Sequence, residues 1–421
     1  MRRVVVANPG GQSHFKDHAA TLAAHGWLER YISTFGFGPD DVARAGRLPG
    51  RLGQRAQLEL KRRGVNEEVG DRSTRVATAL ELANVLLTRA PLPMRAKYGA
   101  FKTTREHFDA KAAALLTSQT DAVLGYQGAT TTTFRRARQL GIKTVLDYPI
   151  AHYEFTERTL EEEARLVPEY APTLRVQRYP EWIKRRYVEE INTADRIIMV
   201  SEHHTKTFVD AGVDPKRTFI VPWYIDTELF SPAPNRTATD DIFRIAFLGQ
   251  ITQRKGISYL VEGFKRASLQ DAELVLIGAP IGDVRPWASV PGIRHIPPMA
   301  RFLLPEQLRR CHVIALPSLV EGFPISALEG MACGLPALIS ENLGHDIVQD
   351  GIDGFVVPIR DPDAIAERLR ELHADTARRV KMAEAARAKA AGFTLEHYRG
   401  CLINGLETML AQREADQVRA A

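Results

Sequence analysis

Two glutamates, Glu321 and Glu329, stand in the segment EGFPISALEGMACGLPALIS at 321 to 340, just after an apolar run that ends LPS at 316 to 318. The order reads as strand, tight loop and helix, with Pro324 in the first helical turn, where its missing N–H wastes no donor. The N–H groups of Gly322, Phe323 and Ile325 would then point out of a helix N-terminus, and with the helix dipole behind them they suit a diphosphate. Glu321 precedes that turn. Glu329 sits about five residues along the helix, roughly 7.5 Å at 1.5 Å per residue, within reach of ribose hydroxyls. Taken alone, two glutamates at this spacing are more often solvated helix charges; the residues around them make the case.

Such a loop needs a parallel sheet behind it, and the chain supplies the pattern for two. Short Val/Ile-rich runs (VVVA at 4 to 7, AVLG at 122 to 125, KTVLD at 143 to 147, RIIMV at 196 to 200, TFIV at 218 to 221) read as strands buried on both faces. Helix-period stretches at 99 to 118, 153 to 171 and 178 to 193 separate them, which makes βαβ units the natural assembly. At SPAPNRTATDD, 231 to 241, the apolar periodicity stops, as an exposed connection between domains requires. It restarts with FRIAFLG, ELVLIG, VIALPS and PALIS, with helices expected near 256 to 269, from 324 and near 362 to 374. With 421 residues, the chain suits two domains better than one core. The expected division is 1–230 and 231–392, with a C-terminal helical stretch, about 393–421, returning to pack on the first domain.

The segment around Glu321 and Glu329 resembles the Glu-x7-Glu motif of the retaining GT-B glycosyltransferases of family 4. MACGLPALIS, GIDGFVVP at 351 to 358 and VPWYIDTELF at 221 to 230 follow in that family's order. The resemblance implies two Rossmann-like domains facing across a cleft, with the nucleotide-sugar donor bound mainly by the second. It implies that Glu321 hydrogen-bonds the donor sugar and Glu329 the ribose. FLGQITQRKG at 247 to 256 resembles the family's strand, glycine turn and Lys-Gly helix entry. Gly249 would then lie by the donor, and Lys255 would approach the donor phosphates and stabilise charge on the leaving diphosphate. Gln250 stands where the family usually has arginine, which leaves two readings, weaker neutralisation of the phosphates or substitution by Arg254. PGGQSH at 9 to 14 resembles the glycine loop beneath the donor phosphates, which points to Gly11. His152, in LDYPIAHYEF, resembles the histidine facing the donor sugar. Loops near Gly278 and Pro298 would meet the base. Trp223 and Tyr224 replace the family's usual Asn-Gly, with no effect that the sequence explains. His152, Lys255 and Glu321 are thus the catalytic candidates. The resemblance further implies no metal, no cofactor beyond the donor substrate, and a leaving phosphate that takes the acceptor's proton.

The bulk properties set limits on partners. Residues 1 to 230 carry 34 Lys/Arg against 28 Asp/Glu, a net +6, whereas the remainder is close to neutral. The stretch 43 to 64 holds seven Lys/Arg and one glutamate and could touch anionic lipid. Nucleic acid is disfavoured because aromatics do not alternate with those cations. The three cysteines, 311, 333 and 401, form no CxxC pair, so each is expected to be a small buried hydrophobe. No run is long enough to cross a bilayer and no signal-like segment opens the chain. A cytoplasmic location follows as the expectation, with peripheral contact at the inner face of the cell membrane. The acceptor expected from the resemblance is a glycan or lipid-linked glycan in envelope polysaccharide or glycolipid synthesis. Two alternatives stay open: a nucleotide-sugar-binding protein without transfer activity, and a GT-B enzyme of another reaction type such as an epimerase.

Overall fold

The computed structural model describes residues 2–420 apart from 11–12, 36, 38, 48–49, 51–52, 55–56, 58–59, 61–63, 65, 90–93, 175–176, 233–241, 283–284 and 345. Most of the expected connection at 231–241 and part of the basic stretch at 43–64 therefore lie outside the described residues.

The Val/Ile runs form two parallel sheets. The first comprises β1 (Val4–Asn8), β2 (Leu28–Ser33), β3 (Ser73–Arg75), β4 (Ala122–Tyr126), β5 (Lys143–Asp147), β6 (Arg196–Met199) and β7 (Thr218–Ile220) in the order 3-2-1-4-5-6-7. The second comprises β8 (Phe243–Leu248), β9 (Ala272–Ile277), β10 (Ile293–Ile296), β11 (Val313–Leu316), β12 (Ala337–Ser340) and β13 (Gly354–Val357) in the order 10-9-8-11-12-13. Every residue of β1, β4, β11 and β12 is buried, as strands covered by helices on both faces must be. This is the two-domain α/β architecture of the GT-B fold. β3 and β10 escape the sequence pattern: STR has no apolar run and IRHI is half polar, in keeping with edge positions.

Each sheet reverses its strand order once, between β1 and β4 in the first and between β8 and β11 in the second. A crevice opens at the carboxyl ends of strands at such a switch point, and ligands of open α/β sheets bind there. The loop after β8 carries Gly249 to Lys255, and the loop after β11 carries Pro317 to Pro324. The two candidate segments of the second lobe therefore flank one crevice although some 70 residues separate them in sequence.

The helix Leu395–Ala420 packs on the first sheet. Tyr398, Leu402, Leu406, Met409 and Leu410 join Val4, Val6, Leu22 and Leu124 in one core. Tyr398 is also held by polar contacts, its hydroxyl 2.7 Å from His18 Nδ1, while His18 Nε2 lies 2.9 Å from the Asp147 carboxylate at the end of β5. Trp223 and Tyr224 stitch the segment that leaves the first sheet: Trp223 packs on Phe323 and Tyr224 on Tyr398. The Asn-Gly replacement thus puts one ring against each lobe. Cys311 and Cys333 are buried, whereas Cys401 is partly exposed. No helix among the described residues is long and apolar enough to cross a membrane.

Leu406 is fully buried, and Leu395 on the same helix is 36% exposed. Leu406→Ala should cost about 2–5 kcal/mol and lower the thermal midpoint, whereas Leu395→Ala should change stability by less than about 0.5 kcal/mol. Equal midpoints in a melting comparison would show that this helix contributes nothing to the first lobe.

Candidate functional site

Glu321 sits between two cations. Its Oε2 lies 3.0 Å from Arg254 Nη1 and its Oε1 lies 2.7 Å from Lys255 Nζ. The three side chains are 11–24% exposed, so water screens them little. Burial alone would raise the Glu321 pKa, but the charges of Arg254 and Lys255 outweigh it and hold the carboxyl down at about 2. Local backbone explains the placement. Thr252 caps the turn Gln253–Lys255, and Gly256 leaves it with φ 70°. A Cβ at Gly256 would stand 2.0 Å from the Pro317 carbonyl, so only glycine lets the turn sit against the β11 loop. The Arg254 carbonyl accepts from Leu319 N (2.9 Å), and Arg254 Nη1 donates to the Val320 carbonyl (2.6 Å). The lysine stem lies along Gly249, where an added Cβ would be 3.3 Å from Lys255 Cε.

The glutamate helix begins at Ile325, with Pro324 at the N-cap instead of inside the first turn. Its N-terminus is less open than the sequence suggests, because Ile325 N–H donates to the Phe323 carbonyl at 3.0 Å. The β11 loop also touches the first lobe. A Cβ on Gly322 would fall 1.8 Å from the Pro149 carbonyl, and Ser201 Oγ donates to the Gly322 carbonyl at 3.3 Å. Phe323 is buried beneath Trp223. Glu329 is buried on the same helix and accepts two hydrogen bonds on Oε1 from Arg301, at 3.0 and 2.8 Å. Burial raises its pKa, with the Arg301 charge opposing. Arg301 in turn lies over the Phe230 ring, 5.4 Å from its centroid. The sequence does not single out Arg301, an exposed arginine that opens the short 3-10 turn Arg301–Leu303 with no motif around it.

His152 stands after β5 as the N-cap of the helix Tyr153–Leu166, its Nδ1 accepting from Glu154 N–H at 3.4 Å. This bond leaves the proton of a neutral ring on Nε2. Burial against Tyr153 and Phe208 lowers the His152 pKa to about 4, with Glu154 opposing, so the ring is neutral near pH 7. His152 is two residues from Ile150, whose Cα would lie 3.1 Å from a Cβ on Gly322; its own ring contacts are with Tyr153 and Phe208 of the first lobe. Gln250 is exposed and lines a cavity of about 180 Å³ between the lobes, with Ile150, Leu160, Tyr179, Thr252 and Arg254. Pro298 is exposed in the stretch after β10, three residues before Arg301. Gly11 lies outside the described residues. No group of three or more His, Cys, Asp or Glu side chains placed to hold a metal occurs among the described residues.

The arrangement offers two cations, an ionised carboxylate between them, a second buried carboxylate along the helix and a neutral imidazole across the lobe boundary. Comparison with known proteins bears on the family and the fold. Residues 242–375 match the family model described as Glycosyl transferases group 1. Over 271 residues the chain is 29% identical to a D-inositol 3-phosphate glycosyltransferase of Kineococcus radiotolerans, covering 54% of this chain and 61% of the relative. It is 31% identical over 253 residues to the protein of the same description from Geodermatophilus obscurus, covering 54% and 55%. The matches thus span less than two thirds of these curated relatives. Anabaena HepE in complex with UDP superposes with a TM-score of 0.64 at 15% identity, covering 96% of this chain and all of that one.

Because the Glu321 pKa is depressed, its ion pairs stabilise the fold above the ordinary carboxylate range, and that contribution is lost as pH falls from about 4.5 towards 2. Glu321→Gln should therefore be less stable than the wild type at pH 7, by an amount on the order of 3 kcal/mol. The gap between their melting midpoints should narrow as pH falls through that window. A gap independent of pH would remove the ion pairs from the account.

Proposed function

We propose that the chain is a retaining, metal-independent glycosyltransferase that moves a sugar from a nucleotide-diphosphate sugar to a glycan or lipid-linked acceptor. The observation that carries this reading is the Arg254–Lys255–Glu321 group at the switch point of the second sheet. Similarity of residues 242–375 to glycosyl transferases group 1 supports the reaction class, and the fold shared with a UDP complex supports a nucleoside diphosphate as the donor's leaving part.

In this reading the donor diphosphate takes over Arg254 and Lys255. Their two positive charges stabilise the negative charge that grows on the leaving phosphate as the glycosidic bond breaks. A divalent ion is not required for that neutralisation. Glu321, released from its cations, is free to accept hydrogen bonds from sugar hydroxyls, and Glu329 from the ribose, with Arg301 fixing its orientation. Neutral His152 donates through Nε2–H to a sugar hydroxyl or ring substituent on the first-lobe side. The leaving phosphate accepts the acceptor's proton, so the new bond forms on the face the phosphate leaves and the anomeric configuration is kept. No protein nucleophile takes part; placement of the two substrates between the lobes supplies most of the rate.

The first lobe holds the acceptor, and the excess of Lys/Arg there favours an anionic acceptor surface. Contact of residues 43–64 with anionic lipid at the cytoplasmic face of the membrane, in envelope polysaccharide or glycolipid synthesis, belongs to the same reading.

A thermal-shift panel of nucleoside diphosphates and their sugars tests the donor site. One base should raise the wild-type midpoint, with about 2.7 kcal/mol of stabilisation at 100 times the dissociation constant. Lys255→Ala and Glu329→Ala should each lose most of it. If no nucleotide shifts the wild type, the transferase reading is wrong.

A further inference from the structure

The turn that carries Arg254 and Lys255 is not held by the second lobe alone. Glu163, near the end of the helix Tyr153–Leu166 in the first lobe, has a fully buried carboxylate. Its Oε1 accepts from Gln253 Nε2 at 2.6 Å, and its Oε2 accepts from Arg360 Nε at 2.8 Å. Both partners belong to the second lobe. Gln253 is itself fully buried and immediately precedes the two cations. Its backbone N–H donates to Thr173 Oγ1 (2.8 Å), and Thr252 Oγ1 donates to the Thr173 carbonyl (2.8 Å). The Gln253 side-chain carbonyl accepts from Ser258 N–H at 3.1 Å, which ties the same amide to the helix that follows.

Arg360 grips the first-lobe helix more widely, donating to Glu162 Oε2 (2.8 Å) and to the Thr159 carbonyl (3.2 Å). It does so from a left-handed backbone conformation, φ 61°, which a non-glycine residue adopts only where its surroundings impose it. Adhesion between the lobes does not need a buried charge, since Ala151, Leu160 and Leu174 already pack on Leu319 and Val320 there. A carboxylate taken out of water is costly unless every oxygen is paired, and here both pairings exist only while the lobes are together.

We propose that Glu163 is a positioning residue: its carboxylate, reaching out of the first lobe, fixes the Gln253–Lys255 turn of the second, so that Arg254 and Lys255 meet the donor diphosphate only while the lobes are closed. An unbroken series of contacts links it to the site. It runs from Glu163 through Gln253 to the turn, from Lys255 to Glu321, and from the Arg254 carbonyl to Leu319 in the same loop. Lobe separation would free the turn at the moment donor or product must pass. This inference rests on the donor-site reading above.

Calorimetric titration of UDP, GDP, ADP, dTDP and CDP into the folded full chain tests it, with circular dichroism confirming the fold of each variant. The wild type should bind one of the five. Glu163→Gln removes the charge facing Arg360 and puts an amide where Gln253 Nε2 now donates; it should raise that dissociation constant about tenfold. Arg360→Gln, which leaves the Gln253 bond in place, should raise it by about threefold. A Glu163→Gln protein that melts earlier but binds with the wild-type constant shows only structural adhesion and overturns the proposal. If Glu163→Gln does not fold, Glu163→Asp, whose shorter side chain cannot reach Gln253 Nε2, takes its place, and an unchanged constant there overturns the proposal equally. Failure of the wild type to bind any of the five would remove the donor-site reading and this inference with it, whereas binding with unchanged variants removes this inference alone.

Discussion

Two positive side chains next to each other in sequence repel, and Glu321, lying between Arg254 and Lys255, offsets that repulsion in the crevice. Much of the second lobe serves that contact. Gly256 admits the turn against the Pro317 carbonyl, the strand reversal between β8 and β11 opens the space, and Leu319 and Val320 bond back to Arg254. The result is a site whose cations are already gathered and partly desolvated before any anion arrives. In the reading proposed above, such preorganisation suits electrostatic stabilisation of a leaving phosphate, because little reorganisation is left for the reaction itself.

The first lobe completes the site by contact at several points. The Pro149 carbonyl abuts Gly322, Ser201 bonds the Gly322 carbonyl, and Glu163 holds the cation turn. Trp223 packs on Phe323 in the same loop as Gly322, while Tyr224 packs on Tyr398 of the C-terminal helix. A change in the angle between the lobes would therefore be felt at the Glu321 loop and at the cation turn together.

The sheets were legible because strands buried on both faces write themselves as continuous Val/Ile runs, and the glutamate helix because loop, proline and apolar helix occur in one stretch. β3 and β10 were not, since edge strands need no apolar run. Within the site, Glu321, Lys255 and Arg254 could be named from local motifs, but not their mutual ion pairing, which depends on how two distant loops meet. The helix N-terminus was overestimated: the turn before Ile325 uses its N–H internally. Glu163, Gln253, Arg301 and Arg360 were invisible for the same reason in stronger form. Each acts across a long sequence separation, Glu163 and Arg360 being 197 residues apart, and none carries a local pattern that distinguishes it from a solvated polar residue.

The most direct test of the central claim is proton NMR of the wild type incubated with nucleotide sugars and no acceptor, so that water takes the acceptor's place. Release of a nucleoside diphosphate, with the freed sugar appearing first in the donor's own anomeric configuration and the release lost in Lys255→Ala, is the predicted result. Appearance of the opposite anomer first, or release that does not depend on Lys255, would contradict the account.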